Sequence, residues 1–375
     1  MTFAFSDEQQ ALRKAVRAFA ADHSDEAAVR ALAESDLGYD AATWRLLAEQ
    51  VGVAGLLIPE RHGGAGAGTV ELAVVAEELG KQLFCGPFLS SAVLATGLLA
   101  GLAESAEVAD LLSGLAAGTR VVTVALDEGA GTWDPADVTS VAADGPAGWT
   151  VSGSKRFVLD AVGADTLLVV ASGPRVFAVD PAAPGVTVTP LHTLDATRRQ
   201  ADVRLTDAPA RPLDGDAAAA LRSALDTAAV VLAAEQAGGA RAVLDMAVGY
   251  ARTRIQFGRA IGSFQAIKHM CADLLVLVES AYSAAYYAAW AQDGGAADAH
   301  EATCLAAAFC ADAFAKAAAD NVQIHGGIGF TWEHPAHLYL RRARSGLALL
   351  GSPEADRERY LRAVIERSTL TGARA

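Results

Sequence analysis

Two short runs of this chain carry residue types suited to gripping a large anionic ligand. The first is Tyr250-Ala251-Arg252-Thr253-Arg254-Ile255-Gln256-Phe257-Gly258-Arg259, continued by Ile261-Gly262-Ser263-Phe264-Gln265-Ala266-Ile267. The second is Gln323-Ile324-His325-Gly326-Gly327-Ile328-Gly329-Phe330. Arginine offers phosphate a fixed cation, an aromatic ring offers a flat plate, and paired glycines expose backbone amides to close approach. Each feature alone also has a plainer reading: Arg254 as a solvated helix-end charge, Phe257 as core, Gly326-Gly327 as a helix stop.

Other candidates carry less. The glycine-rich run Ile58 to Gly66 could approach a phosphate, but it follows no strand and lacks the dinucleotide fingerprint, so a surface turn is expected. Asp320, His325 and Glu333, or His334 with His337, could suggest a metal, yet no thiol or further histidine completes a ligand set, and no metal is expected. Arg341, Arg342 and Arg344 read as a solvated helix-end cluster. Cys85, Cys271, Cys304 and Cys310 have no metal-ligand spacing, and free thiols in apolar helical pattern fit a reducing cytoplasm.

The elements that must position these runs fall into three regions. Residues 1–118 are helical in pattern: Ser6 with Gln9 forms a capping-box signature, Leu12, Val16 and Phe19 recur at helical spacing, and a helix over 71–80 ends at Gly80 as its cap. Residues 119–213 change to period two, with strands at 121–125, 149–152, 166–171, 176–179 and 186–188, predicting a compact antiparallel barrel or sandwich. Residues 214–375 return to helix at 220–252, 264–290, 299–325 and 354–367. Those four make a bundle with Leu232, Val243, Leu274, Leu275, Phe309 and Phe314 inward. The fold class is mainly α with a central β domain.

Composition narrows the function. A net charge of −14 disfavours a nucleic-acid footprint. No segment has the roughly 20 nearly uncharged residues of a membrane helix, and the N-terminus lacks a signal-peptide pattern, so a cytoplasmic protein without membrane attachment is expected.

The two runs closely resemble the paired signatures of the acyl-CoA dehydrogenase family. Supporting matches are Gly55-Leu56-Leu57-Ile58-Pro59-Glu60 with His62-Gly63-Gly64-Ala65-Gly66, Ala76-Glu77-Glu78-Leu79-Gly80 and Gly153-Ser154-Lys155-Arg156-Phe157. The resemblance implies an N-terminal helical domain, a barrel-like β domain and a C-terminal four-helix bundle, assembled as a homo- or hetero-oligomer (a dimer of dimers). It implies FAD as cofactor, an acyl-CoA or other acyl thioester as substrate, and an electron-transferring flavoprotein as electron acceptor. The positions of Arg254, Gln256, Phe257, Gln265, Gln323, Gly326 and Gly327 are then FAD-binding, the arginine and phenylalanine serving a neighbouring subunit's FAD.

Dehydrogenation of an acyl thioester needs a base for the α-proton, and the family uses a glutamate at one of two places. Here those positions are Leu350 and Ala228. Neither accepts a proton, so the catalytic residue is unknown. Asp226, Ser352 and Glu354 lie close by in sequence should the base be displaced. Flavin-ring positions also depart from the family: Asp127 to Asp134 replaces its Thr-Glu-Pro loop, and Leu159 replaces a hydroxyl donor. Contacts to a neighbour's FAD are kept while base and ring contacts are lost, a pattern similar to the non-catalytic partner in heteromeric steroid side-chain enzymes of actinobacteria. The main expectation is an FAD-dependent acyl-CoA dehydrogenase. The alternatives are such a partner, working beside a catalytic paralogue, and a flavin monooxygenase or oxidase on the same fold.

Overall fold

The computed structural model describes residues 4–372. Helix α1 (Asp7–His23) opens with the expected box: Ser6 Oγ accepts from Gln9 N at 3.2 Å while Gln9 Oε1 accepts from Ser6 N at 2.9 Å. Then come α2 (Glu26–Glu34), α3 (Ala41–Val51), α4 (Thr69–Lys81), a π-helical turn (Phe88–Ala95), α5 (Thr96–Gly101) and α6 (Ala106–Ala116). Eight strands follow: β1 (Val122–Ala125), β2 (Val141–Gly145), β3 (Gly148–Leu159), β4 (Thr166–Ala171), β5 (Arg175–Val179), β6 (Val186–Pro190), β7 (Gln200–Pro209) and β8 (Arg211–Leu213). The last part is α7 (Ala217–Thr253), a small hairpin of β9 (Ile255–Gln256) and β10 (Arg259–Ala260), α8 (Gln265–Asp293), α9 (Ala299–His325), α10 (Ala336–Gly346) and α11 (Pro353–Gly372).

Two compact units interleave along the chain. One comprises the chain up to Ala28, Ala73–Phe84 and everything from Ala229; the other comprises Val29–Leu72 and Cys85–Ala228. In the first, α9 is the central helix, with α8, α10 and α11 against it. Its alanines bury small side chains on nearly every face, and Phe314 fills the gap left at Gly239. Leu232, Val243, Leu274 and Phe314 are buried as expected and Phe309 is half-buried, but Leu275 is exposed. One residue is 100° of helix from the next, so Leu274 and Leu275 cannot both face one core.

Helices α4 and α7 meet backbone to backbone. A Cβ at Gly80 would lie 2.2 Å from the Glu235 carbonyl oxygen, and one at Gly238 would lie 2.1 Å from that of Glu77. Gly80 is therefore not a cap. The helix continues through Lys81, and the glycine is there because any side chain would force the two helices apart. Charge ties α1 to the same place: Arg17 binds both carboxylate oxygens of the buried Glu78 at 3.0 and 2.9 Å, and Arg13 reaches Glu77 at 3.3 Å.

The second unit holds two four-stranded sheets, ordered β1-β4-β5-β8 and β2-β3-β7-β6. One departure from an antiparallel expectation is the parallel pairing of β1 with β4, Val122 opposite Thr166. Strand β3 runs seven residues past the expected Ser152, bending at two bulges, one at Gly153. Strands β2, β7 and β8 and helix α10 were absent from the sequence expectation. The turn-rich run at 58–66 is more than a surface turn: Gly64 packs on the Ile58 carbonyl, Ala65 N donates to Gly55 O at 2.9 Å, and Ile58 and His62 are buried.

Helices α7 and α9 are long and apolar enough to cross a membrane by length and composition, closer to that threshold than the sequence reading allowed. Over half of each apolar window is buried inside the protein, as for core helices.

Candidate functional site

Three helix ends converge where the two runs lie. Ala247 and Ala251 near the end of α7 and Ile324 near the end of α9 form a small core, with Ile261, Ile267 and Met270 of the linker and early α8 packed on it. All seven candidate residues sit at this end of the bundle, and all are exposed. The hairpin turns through Phe257 and Gly258 with φ of 54° and 76°, the two positive values a tight I′ turn requires. Phe257 is 92% exposed, its ring edge-on to Phe264 at 6.0 Å, and Arg259 caps Phe264 at 4.1 Å.

Arg254 is fixed through its backbone. Its N–H donates to Tyr250 O at 2.9 Å and its carbonyl accepts from Ile261 N at 2.8 Å, while its guanidinium makes no ion pair among the described residues. Gln256 folds onto its own Ile255 carbonyl at 2.9 Å. Gly326 ends α9 at φ 64°, ψ −141°, backbone only glycine adopts readily, and a Cβ at Gly326 or Gly327 would meet nothing within 4 Å. A free cation, a projecting aromatic plate and open backbone can together receive a dinucleotide. The sequence reading named Phe330 only inside its motif and passed over Trp332. Both are exposed, and Arg341 stacks over Trp332 at 4.8 Å.

The arginine cluster is not uniformly solvated. Arg344 is exposed, but Arg342 is buried and pairs with Glu235 at 2.9 Å, because α10 lays that face against α7. Likewise His325 and His334 are spent on each other, rings 4.3 Å apart, and among the described residues no three His, Cys, Asp or Glu side chains gather as a metal site.

Both base positions are apolar and buried. Ala228 is fully enclosed on α7. Leu350 points into the bundle from left-handed backbone at φ 62°, followed by Gly351 at φ 123°. Leu350 and Gly351 line a cavity of about 10 Å³, at the margin of what one water needs, together with Gln236 and Asp356. Gln236 Oε1 is buried without a hydrogen-bond donor. Of the nearby polar residues, Glu354 is solvent-facing and Ser352 caps α11. Sequence reasoning missed Asp356. It is buried, bonds Arg359, and shares that guanidinium with the Leu350 carbonyl, 3.3 Å away; burial pushes its carboxyl above the usual range despite Arg359. An acidic residue in a helix's first turn looks like an ordinary dipole partner, which hid it.

In the other unit, the 127–140 loop is bound to its own sheet. Although burial works against it, Glu128 is held down at about 2, because Lys155, Ser140 and Thr139 all donate to its carboxylate. Trp133 is buried in left-handed backbone at φ 53°, Leu159 is buried, and Asp127 Oδ2 is buried without a donor.

Comparison with known proteins identifies this arrangement. Family models described as acyl-CoA dehydrogenase N-terminal domain and acyl-CoA dehydrogenase C-terminal domain match residues 6–119 and 218–365. The chain belongs to the acyl-CoA dehydrogenase family. Acyl-CoA dehydrogenase IpdE2 of Mycobacterium tuberculosis is 39% identical over 349 residues, covering 92% of this chain and 94% of that protein. A variant of the Tcur3481-Tcur3483 steroid acyl-CoA dehydrogenase superposes with a TM-score of 0.88 at 33% identity, over 97% of this chain and 99% of its own. The ChsE4-ChsE5 complex from Mycobacterium tuberculosis gives 0.88 at 30% identity, over 98% and 99%. Acyl-CoA dehydrogenases are oxidoreductases acting on CH–CH bonds, and this chain is of that type.

Proposed function

We propose that this acyl-CoA dehydrogenase-type chain grips FAD with the α7–α8 hairpin and the α9 turn, in an oligomer whose catalytic carboxylate comes from a paralogous subunit. The observation that carries this is the coexistence of an exposed, unpaired cradle at Arg254, Phe257 and Gly326-Gly327 with buried apolar side chains at both base positions. FAD fits the first region: Arg254 would meet its pyrophosphate, Phe257 its adenine, and the glycine amides its oxygens, with Gln256, Gln265 and Gln323 around them. The ring-side loop fits it poorly, since Leu159 has no donor and Glu128 is committed to Lys155. When bound, FAD would supply the hydride acceptor for the substrate's β-hydrogen. The partner's carboxylate would take the α-proton.

Similarity to a steroid acyl-CoA dehydrogenase and to the ChsE4-ChsE5 complex supports a steroid-derived acyl-CoA as substrate and a second kind of subunit as partner. An electron-transferring flavoprotein would then carry electrons away. A cytoplasmic location agrees with four free thiols and with the burial of both long apolar helices.

Purifying the chain alone and together with a co-expressed paralogue that carries the glutamate base tests the reading. We expect flavin colour and acyl-CoA bleaching only from the pair. One FAD per chain, reduced by acyl-CoA with no partner present, would sink it. Asp356 supports a second reading, a displaced base, because its carboxyl lies buried beside Leu350 with a raised proton affinity. In that case the chain alone would be reduced, and Asp356→Asn would abolish the reduction.

A further inference from the structure

His325 occupies an unusual place between the two cofactor-facing segments. It is the last residue of α9, directly before Gly326, and it is buried. Its ring stacks on Tyr250 of α7, centroids 4.3 Å apart and planes 27° apart, and also meets His334, tilted by 44°, at 4.3 Å. Its Nδ1–H donates to the Asn321 carbonyl at 2.8 Å, which leaves Nε2 as the bare nitrogen of a neutral ring. The same Tyr250 accepts the Arg254 N–H through its carbonyl, and the turn after Gly326 folds back so that Gly329 sits against the His325 Cβ. One ring thus lies against both halves of the cradle.

We propose that His325 is a positioning residue that locks the Arg254–Phe257 hairpin and the Gly326-Gly327 turn into one dinucleotide-binding surface through its neutral, buried ring. The proposal rests on the FAD reading above and adds its control by pH. Burial holds the His325 ring below the ordinary histidine range, the Asn321 carbonyl opposes that only partly, and no charged side chain contributes. The titratable groups facing it are Tyr250 from α7 and His334 from the loop before α10. Protonation places a charge against one stacked and one tilted ring, with no charged side chain among the described residues acting on it. As pH falls below that of free histidine, the stack and the folded state both lose stability.

The test is FAD affinity of the protein in its purified assembly, from pH 8 to pH 5, together with amide exchange of the flavin-free protein. Wild type should lose about tenfold in affinity across the acid half of that range. His325→Phe keeps a flat ring that cannot titrate but gives up the bond to the Asn321 carbonyl, so its affinity should be equal to or below that of wild type at pH 8 and should not change between pH 8 and pH 5. His334→Phe should retain the wild-type pH dependence. In the flavin-free protein, His325→Ala should raise exchange in residues 254–261 and 326–330 together. A flat wild-type profile, loss of pH dependence in His334→Phe instead of His325→Phe, or exchange rising in one segment alone would each overturn the proposal. Absence of FAD binding at every pH would count against the cofactor reading, and the exchange experiment would still decide the coupling.

Discussion

Phe257 and Leu350 occupy the same kind of backbone for opposite ends. Both are bulky residues at positive φ, 54° and 62°, and both precede a glycine at positive φ. Left-handed backbone costs a side-chain-bearing residue about 1–2 kcal/mol. Leu350 offsets that cost by burying its side chain in the bundle, whereas Phe257 points into solvent and recovers only an edge-on contact with Phe264. Strain balanced by burial is structural. Strain left largely unbalanced at an exposed aromatic, beside an arginine with no ion pair among the described residues, supports the cofactor contact proposed above.

The comparison can be tested from both sides. The largest effect is expected inside the bundle, where Arg342→Ala would remove a close cationic partner of the largely enclosed Glu235 carboxylate and lower stability by about 3–5 kcal/mol in a denaturant titration. Leu350→Ala keeps the backbone strain and removes the burial, so a loss of about 2–4 kcal/mol is expected in the same measurement. A neutral result there would mean that the turn is not held by its side chain.

The ring-side loop should behave like Leu350. Glu128→Gln is expected to cost roughly 3 kcal/mol, because it removes the carboxylate partner of the buried Lys155 ammonium. Because the folded-state value lies near 2 and the ordinary one near 4.5, this stabilisation is complete above pH 4.5 and fades as pH falls toward 2. The difference between variant and wild type should narrow over that window in acid melts. The smallest stability effect, with the opposite sign, is expected at Phe257→Gly. Relief of the turn should leave stability equal or higher by up to about 1 kcal/mol, while FAD affinity falls about tenfold, the worth of one stacked aromatic contact. A large loss of stability would place Phe257 in the same class as Leu350.

The helical–sheet–helical order of the fold was largely legible in the sequence, and the two segments proposed for cofactor contact stood out there because their residues are few and closely spaced. Arg254 to Phe257 and Gln323 to Gly327 need only local turns to display them, and the four long helices carry strong apolar patterns. Strand β7 was missed although Ala201, Val203 and Leu205 alternate with Asp202, Arg204 and Thr206, because alanine is a weak apolar signal and the change of phase at Asp207–Ala208 breaks the run. The parallel β1–β4 pairing and the Arg342–Glu235 contact depend on residues 44 and 107 positions apart, beyond any local period. Gly80 was read as a cap because sequence cannot distinguish a glycine that ends a helix from one that admits a neighbour.

That neighbour also sets how accurately the hairpin is aimed. From the close approach at Gly238, α7 runs on to Thr253 as a rod of about 22 Å, and a tilt of about 5° at the crossing would swing its tip by about 2 Å. A methyl group at either glycine would therefore be felt as poor aim at the far end, in the proposed cofactor grip that it never touches.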